Sequence, residues 1–366
     1  MLKKAAALFL VCASMGLWMS CGSTSNRYLY VAIPGTNQIV IYREDPNSGI
    51  LTQLAGSPIT AGSAVESIVM HPSGKLLFTA NAGEGDVSLY TIAATGALTE
   101  VTPRTPVGTS PTLLAMDSTG SFLYVGNSGS LNISVFSINA KSTPPTLTPV
   151  TVPFGSPGYP GSPFSIGMTP LSIKVSPSGN VLYATGTGIP AGFIEAFSLN
   201  QGVPSVLSGT PFVTGTGPYG LAISSSGGFL YTANKLDNSV SEFTVNADGS
   251  LKQFPNSPIG EQFAGPIAML IDKSGKYMFV ANQGSTNLSA YSIGSDGALN
   301  LLTNSPFATK VEPTVLAIDS GGKYVFVGNQ TGPAVQSFSL DTGSGTLTSV
   351  ATYTLPGSPT SIAVTP

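Results

Sequence analysis

A short run of aromatic, aliphatic and β-branched residues recurs along the chain at a nearly constant interval. The seven copies are YLYVAI at 28–33, LLFTAN at 76–81, FLYVGN at 122–127, VLYATG at 181–186, FLYTAN at 229–234, YMFVAN at 277–282 and YVFVGN at 324–329. They end 46 to 48 residues apart, except for one interval of 59 residues. Four short strands and their turns fill a repeat of this length, so the pattern predicts the seven blades of a β-propeller.

Each copy lies in a longer unit of alternating apolar and polar residues. A proline-led strand and a turn precede it, and two further strands follow it, the last of which opens with Gly-x-Leu. No helical periodicity appears beyond the first residues, so we predict an all-β fold with four antiparallel strands per blade, called A to D from the axis outward. The repeats begin at a strand B with Tyr28 and end at a strand A in Pro359–Pro366. The two ends should therefore share one blade and close residues 27–366 into a single domain.

The first residues predict export. Lys3 and Lys4 precede an apolar stretch that reaches Met19, which is typical of a signal peptide over residues 1–20. A small residue stands before Cys21, the only cysteine left after cleavage, so residues 21–26 are interpreted as a lipidated tether. This predicts a protein that is lipid-anchored to the cell envelope, at a bacterial outer membrane or cell surface. A free secreted or periplasmic protein with an unpaired thiol is the alternative.

Composition and charge limit the classes of partner that the protein can bind. Charged residues make up 8% of the chain, the net charge is -3, and no basic run follows the signal segment, which argues against nucleic acid. We expect a monomer, without a cofactor and without a metal site, because no metal-loop spacing is present. The single histidine, His71, falls in a turn between strands A and B, where we expect a solvated side chain.

The LYVAN-like strands, the Pro-Ser-Gly turns as in residues 71–75, and the Gly-x-Leu strands resemble those of the propeller-type lactonases. That family includes bacterial 6-phosphogluconolactonases and surface proteins built from YVTN repeats, and the resemblance covers nearly all of residues 27–366. It implies lactone hydrolysis by histidine, arginine and carboxylate side chains in the mouth of the ring. This chain has three arginines and one histidine. We therefore hypothesise a binding scaffold for a protein, glycan or envelope component, with a lactonase-like hydrolase as the alternative.

The loops that enter strand A and leave strand B converge on the axis, and a site is expected there. Glu66 lies just inside a strand A, and Glu84 and Asp86 follow strand B of the same repeat, so these three are the candidate catalytic acids. A solvated acidic rim is the alternative. The candidates for a binding face are Asn81, Asn127, Lys174, Tyr219, Asn234, Lys235, Asp237, Asn282 and Asn329.

Several of these candidates also have a structural interpretation. The five asparagines end a strand B, where amides commonly satisfy nearby backbone groups. Lys235 and Asp237 are expected to pair with each other or with water. Lys174 occupies a register that is otherwise apolar, which indicates a wet channel or an anion contact.

One repeat contains about eleven extra residues between Lys141 and Pro170. The period resumes in phase on both sides, which predicts a loop excursion from a continuous ring. If this loop overhangs the mouth, Phe154, Tyr159 and Phe164 would contact a ligand.

Overall fold

The recurrent aromatic runs form the second strand of each blade, and the elements around them pair in the order that the sequence predicts. The computed structural model describes residues 26–151, 162–187, 191–260 and 263–366. They form seven antiparallel sheets arranged as a ring, which confirms a seven-bladed β-propeller. Residues 1–20 and Cys21 lie outside the described residues. Within the described part, no helix has the length and apolar character needed to cross a membrane.

The blades follow one another around the ring in chain order. The first blade contains β1 (Arg27–Ile33), β2 (Gln38–Glu44), β3 (Leu51–Gln53) and β4 (Ile59–Thr60), with a 3-10 turn at Pro34–Thr36. The second contains β5 (Val65–Met70), β6 (Leu76–Asn81), β7 (Asp86–Ile92) and β8 (Leu98–Pro106). The third contains β9 (Pro111–Met116), β10 (Phe122–Asn127), β11 (Asn132–Asn139), β12 (Thr146–Pro149) and β13 (Phe164–Ser165). The fourth contains β14 (Pro170–Val175), β15 (Val181–Thr187), β16 (Gly192–Asn200), β17 (Val203–Val206) and β18 (Phe212–Val213).

The remaining blades have the same arrangement. The fifth contains β19 (Pro218–Ile223), β20 (Phe229–Asn234), β21 (Ser239–Val245) and β22 (Leu251–Gln253). The sixth contains β23 (Pro266–Ile271), β24 (Tyr277–Asn282), β25 (Asn287–Ile293), β26 (Leu299–Leu301) and β27 (Phe307–Ala308). The seventh contains β28 (Pro313–Ile318), β29 (Tyr324–Asn329), β30 (Ala334–Asp341) and β31 (Thr346–Thr354), and β32 (Ser361–Val364) returns to the first blade.

The ring closes through the two ends of the repeat region, as predicted. β32 pairs antiparallel with β1, with Leu29 opposite Val364 and Ala32 opposite Ser361. The backbone N–H of Tyr28 also donates to the Thr365 hydroxyl at 2.9 Å. β32 thus becomes strand A of the first blade. It pairs with the edge of β1 that would otherwise have no partner strand.

Neighbouring blades are held together by strand B side chains. In three blades a buried tyrosine in the third position of the recurrent run donates its hydroxyl to a carbonyl in the C–D turn of the next blade, from Tyr30 to Gly96 (2.9 Å), from Tyr183 to Gly249 (2.8 Å) and from Tyr231 to Gly297 (2.6 Å). Gly297 has a φ of +88°, and a Cβ there would come within 2.2 Å of the Phe229 ring. Glycine in the Gly-x-Leu motif therefore supplies both the turn conformation and the room for an aromatic ring.

The A–B turns occupy the opposite end of the ring from the ends of the B strands. His71 lies in this turn register, but the expectation of a solvated side chain is wrong, because only 7% of the residue is exposed. Its Nδ1 lies 2.8 Å from the Ser73 hydroxyl, and its Nε2 lies 3.2 Å from the carbonyl oxygen of Gly120 in the next blade. His71 thus bridges two blades.

The segment that follows the extra residues of the longer repeat packs into the core. Residues 152–161 lie outside the described residues, and with them Phe154 and Tyr159. Phe164 belongs to β13, where it pairs with Ile133 and packs between the third and fourth blades at 5% exposure. Its side chain is therefore part of the core and does not face the mouth.

Candidate functional site

The seven A strands surround a central channel with a cavity of about 410 Å³. Each A strand pairs with one B strand only, so its other edge faces the axis. The wall combines aliphatic side chains with the hydroxyls of Ser67, Ser172, Thr314, Thr360 and Ser361. We call the end where A strands begin and B strands end the mouth.

A β-bulge recurs at the mouth. In six blades the register shifts between the first and third residues of strand A, so the second residue has no partner on strand B. Bulges of this kind redirect a side chain and are frequent beside active sites. The six unpaired residues are Glu66, Thr112, Leu171, Tyr219, Ile267 and Thr314.

Glu66 is the only charged residue in this bulge position. Its carboxyl group is half-buried, and this burial raises its pKa above the usual value. In the described part of the protein, no hydrogen bond or ion pair engages it. A carboxylate with a raised pKa is a stronger base than an exposed one and can accept a proton from a bound water or substrate.

Glu84 and Asp86 form a separate cluster on the rim. Glu84 accepts a hydrogen bond from the Arg104 guanidinium and another, at 3.1 Å, from the backbone N–H of Ser63. Arg104 also donates to Glu100 at 2.6 Å. Asp86 accepts from the Asn81 amide at 2.7 Å, and burial is the main cause of its raised pKa.

Glu66 is not part of this cluster. The charges that influence the pKa of Asp86 are Arg104, Glu84 and Glu100, and Glu66 is not among them. None of the three predicted acids lines the channel cavity. Arg104 was not predicted from the sequence as a rim residue. It lies on a D strand (β8), and only the fold brings it beside Glu84.

The five asparagines lie beneath the rim, each 0–1% exposed. Their amide nitrogens donate across to strand C of the same blade, for example from Asn234 to Ser239 and Ser241, both at 2.9 Å. In two blades a threonine two residues earlier donates to the asparagine oxygen, as from Thr232 to Asn234. The corresponding oxygens of Asn127, Asn282 and Asn329 are buried and have no hydrogen-bond partner within the described residues.

Tyr219 and Lys235 approach each other at the mouth. The Lys235 ammonium lies 5.2 Å from the centre of the Tyr219 ring, which is a cation–π distance. Asp237 instead accepts from the Thr216 backbone N–H at 2.6 Å and from the Ser239 hydroxyl at 2.7 Å. The expected pairing of Lys235 with Asp237 does not form.

Lys174 lies deeper, in the fifth position of its A strand. Its side chain lines both the main cavity and an adjoining cavity of about 300 Å³ toward the A–B turns. Channel solvent reaches the side chain, but protein surrounds it on all sides, and this enclosure lowers the pKa of the ammonium group. In the described residues we find no group of three or more His, Cys, Asp or Glu side chains able to hold a metal ion.

The fold and its axial channel define a seven-bladed propeller of the kind that hosts lactonases. The sequence matches the family Lactonase, 7-bladed beta-propeller, over residues 23–161 and 167–364. The chain therefore belongs to that family. No curated protein matches the sequence significantly.

Solved structures share the fold. A putative 6-phosphogluconolactonase from Bacteroides fragilis superposes with a TM-score of 0.74 at 18% identity, covering 94% of this chain and 99% of that one. A periplasmic gluconolactonase from Pseudomonas aeruginosa gives a TM-score of 0.74 at 22% identity, covering 93% and 99%. A putative 6-phosphogluconolactonase from Bacteroides uniformis gives 0.76 at 18% identity, covering 93% and 99%. At these identities the likeness concerns the fold.

Proposed function

We propose that the protein hydrolyses a small lactone at the mouth of the channel, with Glu66 as the general base. The observation that carries this proposal is a half-buried carboxyl group of raised pKa in the bulge position, with no described partner to hold it. Membership of the lactonase family supports the same reaction class.

The reaction follows from the position of Glu66. Its carboxylate takes a proton from water as the water oxygen attacks the lactone carbonyl carbon, and the carbonyl oxygen takes the electron pair. Collapse of this tetrahedral species breaks the ring C–O bond, and the proton passes to the departing alkoxide to give a hydroxy acid. The proposal assigns the developing negative charge to Lys235, which lies at the mouth on the fifth blade, whereas Glu66 lies on the second.

The placement of the arginines favours an unphosphorylated substrate, because a phosphate group is usually held by arginine or by clustered cations. Arg27 binds Asp319 at 2.5 Å, Arg104 binds Glu84 and Glu100, and Arg43 lines an outer groove beside Tyr28. None of the three lines the channel cavity.

The test is pH-stat hydrolysis of a panel of sugar, phosphosugar and aliphatic lactones. Glu66→Gln should lower kcat about 100-fold or more, while the matched rim variant Glu84→Gln should retain most activity. Equal losses in both variants would contradict the role of Glu66. No turnover of any lactone by the wild type would leave a non-enzymatic binding scaffold as the function.

We further propose that Cys21 carries a lipid that anchors the propeller to the cell envelope. The support is the signal-like segment before Cys21 and the short polar tether after it. Phase separation of the expressed protein in Triton X-114 tests this. The wild type should enter the detergent phase and Cys21→Ala the aqueous phase, whereas identical partitioning would refute the anchor.

A further inference from the structure

Lys174 is unlike every equivalent residue in the ring. The other six blades carry aliphatic side chains in this register, namely Val69, Ala115, Ala222, Leu270, Ala317 and Ala363. Packing of the A strands therefore does not require a long basic side chain at this position. Since the side chain lines two adjoining cavities, its position points to a ligand in the channel.

The described surroundings of Lys174 provide no counter-ion. It is the only charged residue in the described lining of either cavity. The aspartates of the neighbouring A–B turns are committed to backbone N–H groups, as Asp117 is to Phe122 at 2.6 Å and Asp272 is to Tyr277 at 2.8 Å. The Lys174 side chain is exposed to channel solvent, so its ammonium group is free to pair with an anion that enters the channel.

The charge and the wall define the anion. One lysine balances one negative charge, whereas a doubly charged phosphate would leave a net charge inside the channel. The wall around Lys174 combines aliphatic residues such as Met269 with hydroxyl-bearing residues such as Ser172. A volume of about 410 Å³ is within the usual range for small-molecule sites.

We propose that the channel binds a small monocarboxylate, whose carboxylate group accepts hydrogen bonds from Lys174 and whose remaining part contacts the mixed aliphatic and hydroxyl-bearing wall. The site lies three residues deeper along strand A than the bulge position of Glu66. It is therefore independent of the lactone hydrolysis proposed for the mouth.

The test is isothermal titration calorimetry with benzoate, with neutral benzamide as the isosteric control and inorganic phosphate as the dianion. Wild-type protein should bind one benzoate and should bind benzamide and phosphate much more weakly. Lys174→Met, which nearly keeps the length of the side chain, should lose about tenfold or more in benzoate affinity. Lys235→Met, which removes the cation at the mouth, should leave the affinity unchanged.

Three results would overturn the proposal. They are the absence of saturable benzoate binding, equal affinity for benzoate and benzamide, and unchanged affinity in Lys174→Met. If that variant fails to fold, wild-type crystals soaked in 4-bromobenzoate decide the matter. The anomalous signal of bromine should lie in the channel with the carboxylate beside Lys174, and bromine found elsewhere or nowhere would refute the site.

Discussion

Glu44 is a buried carboxyl group whose ionisation should destabilise the protein above neutral pH. Its side chain is fully buried at the end of β2, and neither oxygen has a hydrogen-bond partner among the described residues. Arg27 lies 3.8 Å away but binds Asp319 more closely, at 2.5 Å. Burial and the Asp319 charge raise the pKa of Glu44 to about 7, although Arg27 opposes the shift.

The sign of the effect follows from proton binding. Between the ordinary pKa of 4.5 and about 7, folded Glu44 keeps a proton that the unfolded chain has released, so stability falls as pH rises. The free energy of unfolding therefore decreases by about 2 to 3 kcal/mol between about pH 5 and about pH 8.5. Glu44→Gln cannot ionise and should escape this decrease. Relative to wild type, its Tm should therefore improve by about 3 to 4 °C between these two pH values.

Thermal unfolding of both proteins at the two pH values measures this difference. Any constant cost of burying a glutamine amide cancels in the comparison. Asp45→Asn is the matched control, since hydrogen bonds from Asn47 and Ser48 lower the pKa of the Asp45 carboxyl group. The Tm difference between that control and wild type should be the same at both pH values, because a lowered carboxyl pKa changes stability only near and below the ordinary value of 3.8. A Glu44→Gln Tm difference that does not change with pH would refute the reasoning.

Three further predictions concern stability and are checked by thermal or urea unfolding. Deleting Ser358–Pro366 should lower Tm by many degrees because β32 closes the ring, and an unchanged melt would contradict this closure. Gly297→Ala should cost about 2 kcal/mol more than Gly209→Ala, since both have φ near +88° but only Gly297 has an aromatic ring where its Cβ would lie. Equal costs would mean that the Phe229 side chain moves to make room for the added methyl group. Val280→Thr should be neutral or stabilising, because a threonine there can donate to the unpartnered oxygen of Asn282, and a loss above about 1 kcal/mol would exclude that bond.

The fold could be predicted from the sequence because every blade repeats the same local signals. Alternation, turn residues and the period of the aromatic runs all indicate four-stranded units, and β32 follows from the unmatched strand A at the end of the repeats. The burial of His71 could not be predicted in this way. Its burial depends on the Gly120 carbonyl of the next blade, which is a contact between repeats rather than within one.

The sequence predicts the position of each candidate acid within its repeat, but not which of the acids lie together. Aligning the repeats places Glu66 in register with six other residues, and in six of the seven blades the structure identifies that position as the bulge. The same alignment could not separate Glu66 from Glu84 and Asp86. That separation depends on Arg104, which reaches Glu84 only through the pairing of β7 with β8.

The difference between residues set by the repeat and residues peculiar to one blade indicates where functional side chains can occur in the propeller. The repeat must keep its core residues, because each B strand packs against two neighbouring blades, whereas the bulge and channel positions of strand A touch few of those contacts. A charged residue can therefore replace the usual residue at one of these positions without disturbing the repeat. Glu66 and Lys174 are the two such replacements in the described A strands, and they lie on different blades and at different depths. Function in this propeller is therefore expected where a single blade departs from the common pattern, and the two sites can be tested separately for that reason.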